Sequence, residues 1–148
     1  MLGRLARYLR FVGCDTLYVK GRTDDELLEI ARQEGRVLLT RDRGLGRRST
    51  SAFLVESPVL AEQWRAVRRA WPSIPTTPLF DRCTLCNGRL QKRRGQDIGA
   101  AAGGVPASIR SEGGVVYVCD DCAHVYWDGS HTARIRAQIA AWEGGPSR

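Results

Sequence analysis

Four of the five cysteines form two Cys-x-x-Cys pairs: Cys83, Cys86, Cys119 and Cys122. Each pair can present two sulfurs on one side of a turn, and tetrahedral zinc takes four ligands. The spacing therefore predicts a four-thiolate zinc ribbon, with a redox pair or an iron–sulfur cluster as the weaker alternatives. His124 and His131 lie nearby, but four thiolates complete a zinc site, so we expect neither histidine to be a ligand.

Two aspartates lie where a different metal ion could bind. Asp42 follows the apolar run at residues 37–39, which is typical of a buried strand. Ligands of open parallel sheets collect beyond the carboxyl ends of the strands. Asp24 begins a predicted helix, and the helical wheel turns it towards the sheet. Its neighbour Asp25 projects outward and is the weaker candidate catalytic residue.

Carboxylate oxygens suit Mg²⁺ or Mn²⁺, and such an ion can activate water and neutralise a phosphate under attack. Candidate phosphate contacts are the arginines beside Asp42 and those on the polar face of the first predicted helix: Arg41, Arg43, Arg4 and Arg7. Arg10 falls on the same polar face of that helix. The alternative interpretation is structural, since a solvated strand-to-helix turn carries such charges and aspartates complement the dipole of a helix start.

Helices and strands alternate along the part of the chain that would position these residues. Periodicity predicts helices over 2–12, 24–34, 59–71 and 132–142, and strands over 15–19, 36–40, 52–55, 115–118 and 125–127. The first half of this order is typical of a three-layer parallel α/β sheet, in a domain spanning residues 1–71. Prolines mark a linker over 72–81. The zinc ribbon and a terminal helix are expected over 82–143, and a disordered tail over 144–148.

The composition favours a nucleic-acid partner. The chain has 148 residues and a formal net charge of +7, which attracts polyanions such as RNA. No apolar run reaches the roughly 18 residues that a membrane helix needs, so we expect no membrane partner. Paired cysteines without a secretory signal favour a reducing compartment, and we expect a cytoplasmic protein. The arginine-rich start lacks serine and is interpreted as a domain helix, not as a transit peptide.

Three blocks of sequence carry a resemblance to a known family. They are MLGRLARYLRFVGCDTLYV at 1–19, TDDELLEIARQEGRVLLTRDRGL at 23–45 and, after the first Cys-x-x-Cys pair, CDDCAHVYWDGSH at 119–131. Together they resemble the Mut-seven C-terminal RNase family. The resemblance implies a PIN-like nuclease domain with a zinc ribbon. It also implies that Asp24 and Asp42 occupy two of the family's acidic positions and that the four cysteines are its zinc ligands.

One departure from the family affects the expected function. Its members carry a short first strand with an aspartate upstream of the MLGRLARYLR block, whereas this sequence begins inside that block. The expected fold is therefore a PIN-like three-layer parallel sheet without its first strand, followed by a small zinc ribbon. The expected function is a metal-dependent ribonuclease with structural Zn²⁺ and catalytic Mg²⁺ or Mn²⁺. The alternatives are a non-catalytic RNA-binding module and a protein-interaction module that docks through the open sheet edge.

Overall fold

The computed structural model describes residues 2–99, 103–111 and 113–144. The chain divides into two compact units, the first made of Met1–Ala6 and Leu17–Pro72 and the second of Arg7–Thr16 and Ser73–Arg148. The boundary between the units falls within helix α1 (Gly3–Phe11). The residues of α1 up to Ala6 belong to the first unit, and those from Arg7 belong to the second. The fold is mixed α/β, with a small parallel sheet in the first unit and a separate antiparallel sheet in the second.

The first unit contains two parallel strands and three helices besides the start of α1: α2 (Asp24–Gln33), β1 (Leu38–Thr40), α3 (Arg43–Arg47), β2 (Ala52–Leu54) and α4 (Leu60–Ala70). In the parallel register Thr40 lies opposite Leu54, so both strands end at the same edge of the sheet. Helix α2 begins at the capping box formed by Thr23 and Glu26. The predicted helices over 24–34 and 59–71 and strands over 36–40 and 52–55 are confirmed, with slightly shorter bounds.

Buried side chains fix the segments that leave this sheet edge. Trp64 and Val67 on α4 are 0% and 1% exposed, and Val55 and Leu45 are 0% and 4% exposed. Full burial of a side chain of this kind contributes about 1.5–3 kcal/mol. Because Leu45 lies in the helix that Asp42 begins, and Val55 directly follows β2, burial holds both connections at the edge in place.

The strand predicted over residues 15–19 is wrong, because this segment forms no strand in the structure. The Thr16 amide donates to Oδ1 of Asn87 at 2.9 Å, and the Thr16 carbonyl accepts from Nε of Arg10 at 2.7 Å. Leu17 and Tyr18 are exposed. The backbone of Thr16 is thus hydrogen-bonded to side chains where a strand would need a neighbouring strand.

The second unit is built on an antiparallel sheet of order β3-β4-β5. Its elements after α1 are β3 (Leu90–Arg94), a 3-10 helix (Gly95–Asp97), α5 (Ala107–Ser111), β4 (Val115–Cys119), β5 (Val125–Tyr126) and α6 (Ser130–Glu143). Val116 on β4 is fully buried with Ile98 and Val105, and Val118 and Val125 pack against this cluster. The strands predicted around the second Cys-x-x-Cys pair and the terminal helix are therefore confirmed.

The remaining segments contain little regular structure. The proline-rich stretch over 72–81 has no helix or strand. Residues 145–148 of the expected tail lie outside the described residues, as do residues 100–102 of a Gly- and Ala-rich stretch. Among the helices that the structure describes, none is long and apolar enough to cross a membrane.

Candidate functional site

The four paired cysteines come together in the second unit. One ligand atom from each of Cys83, Cys86, Cys119 and Cys122 lies within 4.8 Å of all the others. Sulfur–sulfur distances across the two pairs are 3.6 Å between Cys83 and Cys122 and 3.4 Å between Cys86 and Cys119. All four are free thiols, two buried and two exposed. This set of four sulfurs could bind a metal such as zinc.

The two Cys-x-x-Cys turns share one backbone conformation. The amide of Asn87 donates to the Cys83 carbonyl at 2.9 Å, and the amide of Ala123 donates to the Cys119 carbonyl at 3.0 Å. Asn87 has φ +74° and Ala123 φ +58°, the left-handed region that non-glycine residues seldom adopt. In each turn the amide of the residue after the second cysteine is hydrogen-bonded to the carbonyl of the first cysteine. This shared conformation places both sulfurs of each pair on the side of the turn that faces the cluster.

Gly88 allows the two turns to approach each other. A Cβ at this position would lie 2.8 Å from Sγ of Cys119 and 2.5 Å from Oδ2 of Asp121. Distances this short are not tolerated between real Cβ atoms and their neighbours. The absence of a side chain at position 88 is therefore part of the cluster's geometry.

Hydrogen bonds favour the thiolate of Cys83. Burial by itself would raise the pKa of this thiol, but the Tyr126 hydroxyl, 3.1 Å from the sulfur, and nearby backbone amides lower the pKa to about 7. The Thr84 amide donates to the oxygen of Tyr126 at 3.2 Å, which orients the phenol towards the sulfur. Burial raises the pKa of Tyr126 above its ordinary value, so the phenol stays a donor. This environment suits a metal-binding thiolate.

Arg10 is not on a solvated helix face, as the helical wheel suggested, but is only 5% exposed. Its guanidinium donates to the carbonyls of Thr84 at 3.2 Å and Leu85 at 2.9 Å, inside the first Cys-x-x-Cys turn, and to Thr16. Burial lowers the pKa of Arg10, and the charges of the Cys83 and Cys86 thiolates oppose that shift. The helical-wheel prediction for Arg10 was wrong because Leu9 to Val12 are all buried. The last turn of α1 is therefore enclosed on every side.

Asp42 lies at the carboxyl end of β1, as predicted, and also has a structural role there. Its Oδ1 accepts a hydrogen bond from the Leu45 amide at 2.9 Å, which caps helix α3. Its own amide donates to the Thr40 hydroxyl at 3.0 Å. Within the described residues its second carboxylate oxygen has no hydrogen-bond partner. The side chain is exposed, so this oxygen can bind a ligand without losing the cap.

Asp24 and Asp25 both lie exposed in the first turn of α2. The helical wheel turned Asp24 towards the sheet, but the structure leaves it at the surface. Asp25 forms an ion pair with Arg48, the C-cap residue that follows α3. That hydrogen bond raises the pKa of Arg48, with a small further contribution from the charge of Asp24. In the described part of the chain the side chain of Asp24 makes no hydrogen bond or ion pair.

The predicted phosphate-contacting arginines differ in their surroundings. Nε of Arg41 is buried and has no hydrogen-bond partner among the described residues. Arg43 forms an exposed ion pair with Glu56 at 3.4 Å. Arg4 and Arg7 are exposed on α1. Of these four, Arg41 carries the strongest sign of an unused hydrogen-bond donor.

Glu56 is an acid at this edge that the sequence did not single out. It lies two residues beyond the end of β2, whereas Asp42 lies two residues beyond the end of β1. The parallel register brings the ends of the two strands together. The ion pair between Arg43 and Glu56 places Glu56 beside the segment that follows β1. The rule that selected Asp42 could have found it, since both acids follow a predicted parallel strand.

The acids do not form a cluster as compact as the cysteines. Among the described residues, the four cysteines are the group of three or more possible ligands whose atoms lie within 4.8 Å of one another. Asp24, Asp25 and Asp42 form no such group. A surface cavity of about 260 Å³ lies beside α2 and contains Asp25 and Arg48, but neither Asp24 nor Asp42 lines it. The acids can supply scattered oxygen ligands, not a closed metal cage.

The amino-acid sequence matches a known family over most of its length. A family model described as the Mut7-C RNAse domain matches residues 1–139. Neither a curated protein nor a solved structure gives a match. The family match supports a nuclease function of the ribonuclease type, and it includes both the sheet edge and the four cysteines. The chain belongs to the Mut7-C RNAse domain family, as its three sequence blocks predicted.

Proposed function

We propose that this protein is a metal-dependent ribonuclease that hydrolyses RNA phosphodiester bonds at the carboxyl end of its parallel sheet. The observation that carries the proposal is that Asp42 is fixed by the α3 cap with one carboxylate oxygen unpartnered within the described residues. That oxygen lies in a chain whose family is a ribonuclease domain. Asp24 and Asp42 are the proposed ligands of a divalent ion, with Glu56 as a further acid at the same edge.

The scattered acids fit Mg²⁺ or Mn²⁺ better than they fit an ion enclosed by protein. Mg²⁺ usually keeps several waters and binds one or two carboxylates together with substrate phosphates. An ion of this kind supplies an activated water and neutralises charge on the phosphate. The role of Asp42 is to hold a fixed oxygen at the edge. The proposed role of Arg41, which directly precedes Asp42 and is half-buried, is to contact a phosphate oxygen with its guanidinium group.

Asp25 remains a predicted site residue, and its surroundings suggest a different role from that of Asp24. Its ion pair with Arg48 joins the start of α2 to the end of α3. Metal binding by Asp25 would compete with that ion pair. We therefore place Asp24, which makes no such contact in the described residues, in the metal site and assign Asp25 to positioning α2.

Single substitutions test this assignment on 5′-labelled single-stranded RNA with Mn²⁺. Asp24→Asn and Asp42→Asn should each lower the cleavage rate by roughly 100-fold or more, because a metal ligand contributes several kcal/mol to the transition state. Asp25→Asn is the matched control, with the same chemistry one residue away, and should retain most of the activity. Cleavage that survives both the Asp24 and the Asp42 substitutions would exclude this site.

We further propose that the four cysteines hold one structural Zn²⁺. Four sulfurs at these distances and a Cys83 thiol whose pKa is lowered to about 7 support this role. Structural zinc contributes about 10–16 kcal/mol to folding in small zinc-finger peptides. One zinc per chain is therefore expected, and Cys86→Ser should lose the metal together with the β-sheet signal in circular dichroism. Cys14→Ser, at the free cysteine outside the cluster, should keep both.

The proposed architecture follows the family. Residues 1–71 would form the PIN-like domain with its three-layer parallel arrangement, residues 72–81 the linker, and residues 82–143 the zinc ribbon and terminal helix. The alternation of α2, β1, α3, β2 and α4 supports the first assignment. An experimental structure of a longer chain that includes upstream sequence would test whether a further strand lies beside β1.

A second function is favoured by one observation. The acids form no group of three within 4.8 Å in the described residues, which suits a module that binds RNA without cutting it. Salt-dependent RNA binding without cleavage in Mg²⁺ or Mn²⁺ would support this function. Metal-dependent cleavage lost in Asp42→Asn would exclude it.

A further inference from the structure

The sheet of the second unit has two unlike faces. Neighbouring residues of a strand point to opposite faces, and residues paired across an antiparallel ladder share a face. On one face Val116, Val118 and Val125 belong to the buried apolar cluster. On the other face Lys92 lies opposite Tyr117 and Arg94 lies opposite Val115. We call this second face the open face.

The open face carries positive charge that its own chain does not neutralise. Lys92 and Arg94 are exposed on β3, and within the described residues neither forms an ion pair or a side-chain hydrogen bond. They point to the same side because they are two residues apart on one strand. Exposed cations in such a row can contact successive phosphates of an extended strand.

Two aromatic rings lie beside these cations. The rings of Phe80 and Tyr117 are stacked, with centroids 4.4 Å apart and planes inclined by 6°. Both residues are half-buried, and Val115 next to them is 41% exposed. Phe80 has φ +53°, a conformation unfavourable for a bulky side chain. The chain thus holds an aromatic ring over the sheet in spite of its backbone preference.

We propose that the open face binds single-stranded RNA, with phosphates at Lys92 and Arg94 and a base stacked on the ring face of Phe80 that Tyr117 does not cover. Aromatic rings beside a basic groove are the usual means of holding single strands, because every base has a face that can stack. The inference deepens the proposed function, since it identifies a contact surface for the RNA that the first unit would cut. Binding at this face needs no divalent metal at the sheet edge.

The test measures the affinity of the zinc-loaded chain for a labelled single-stranded RNA of 12 nucleotides, without added Mg²⁺ or Mn²⁺. Lys92→Gln combined with Arg94→Gln should weaken binding roughly 10- to 30-fold at 0.1 M salt, and should reduce the slope of log K against log salt by about 1.4, since each phosphate contact to a single strand contributes about 0.7. Both residues are exposed, so the variant should fold. Unaltered affinity in this variant would overturn the proposal.

The matched control is Arg93→Gln, on the same strand but paired with the buried Val116 on the opposite face. It removes one positive charge from β3 and should change affinity less than twofold. Phe80→Leu should weaken binding roughly 5- to 100-fold by removing the stacking surface, with the salt slope unchanged. Lys92→Gln and Arg94→Gln are also measured as single variants. If Arg93→Gln weakens RNA binding as much as either of them does, the attraction is general to positive charge and the proposed face is contradicted.

Two further arms separate this proposal from the proposed cleavage site. An RNA duplex should bind more weakly than the single strand, because its bases are not free to stack. Equal binding of the duplex, unaffected by Phe80→Leu, would overturn the stacking contact. Cleavage is read in Asp42→Asn and metal-free binding in the Lys92→Gln, Arg94→Gln variant, so that failure of cleavage and failure of the open face are seen in different variants.

Discussion

Replacing Arg10 by methionine should lower the free energy of unfolding of the second unit by about 3 kcal/mol. Methionine keeps most of the side-chain volume and removes every donor and the charge. The carbonyls of Thr84 and Leu85, in the first Cys-x-x-Cys turn, and of Thr16 then lose their partner. The change therefore tests whether a buried guanidinium holds that turn in shape.

The magnitude follows from the three hydrogen bonds. A hydrogen bond to a charged group contributes about 1.5–3 kcal/mol. The sum over the three hydrogen bonds of Arg10 is therefore larger than the expected loss in the free energy of unfolding. The loss is smaller because desolvation of a buried charge costs several kcal/mol, and Arg10 is only 5% exposed. For a unit of 60–100 residues, 1 kcal/mol shifts the midpoint by about 4–8 °C. The expected shift in the midpoint of the second unit for Arg10→Met is therefore about 12–24 °C.

Thermal unfolding and zinc release measure the effect. The midpoint is followed by circular dichroism, and zinc transfer to a colorimetric chelator is timed for the folded chain. Arg7→Met is the matched control, because Arg7 lies on the same helix and is exposed. A surface change of this kind should alter stability by no more than about 0.5 kcal/mol. Equal midpoints and equal zinc-release rates in the two variants would refute the reasoning.

Three further substitutions test other parts of the structure. Gly88→Ala should weaken zinc binding in chelator competition, since the added methyl would lie 2.8 Å from the Cys119 sulfur; unchanged affinity would mean that the turns can separate freely. Trp64→Ala should destabilise the first unit by about 3–5 kcal/mol in urea unfolding followed by tryptophan fluorescence or circular dichroism, and a loss below 1 kcal/mol would contradict its burial. Hydrogen bonding to the Thr23 amide lowers the pKa of Glu26, so its stabilising effect is present above the ordinary glutamate pKa and is lost as pH falls through the lowered value. Glu26→Gln should flatten the acid side of the stability profile, and an unchanged profile would exclude this contribution.

Local signals in the sequence predicted most of the elements. Helix α2 has a capping box and apolar residues at helical spacing, and both act within a few residues. The Cys-x-x-Cys pairs predicted the cysteine cluster because zinc chemistry fixes the number and type of ligands. These features need no knowledge of distant parts of the chain, and they were confirmed.

The errors arose where distant residues decide the outcome. The pattern at 15–19 is strand-like, but Thr16 bonds to Asn87, 71 residues away along the chain. Strand propensity depends on neighbours in this way. Arg10 was assigned to a polar face because a helical wheel does not show that the end of a helix is enclosed. Glu56 was missed because its approach to Arg43 needs the parallel register of two strands.

The shared conformation of the two cysteine turns has a consequence for how this family can vary. A metal held by both turns acts as a cross-link, and the polypeptide between them becomes a closed loop. The entropy of closing a flexible loop rises only with the logarithm of its length, about 0.6 kcal/mol for each doubling. Since each turn is completed by its own local hydrogen bond, insertions or deletions between Cys86 and Cys119 that spare β3 and β4 should leave the four sulfurs in register.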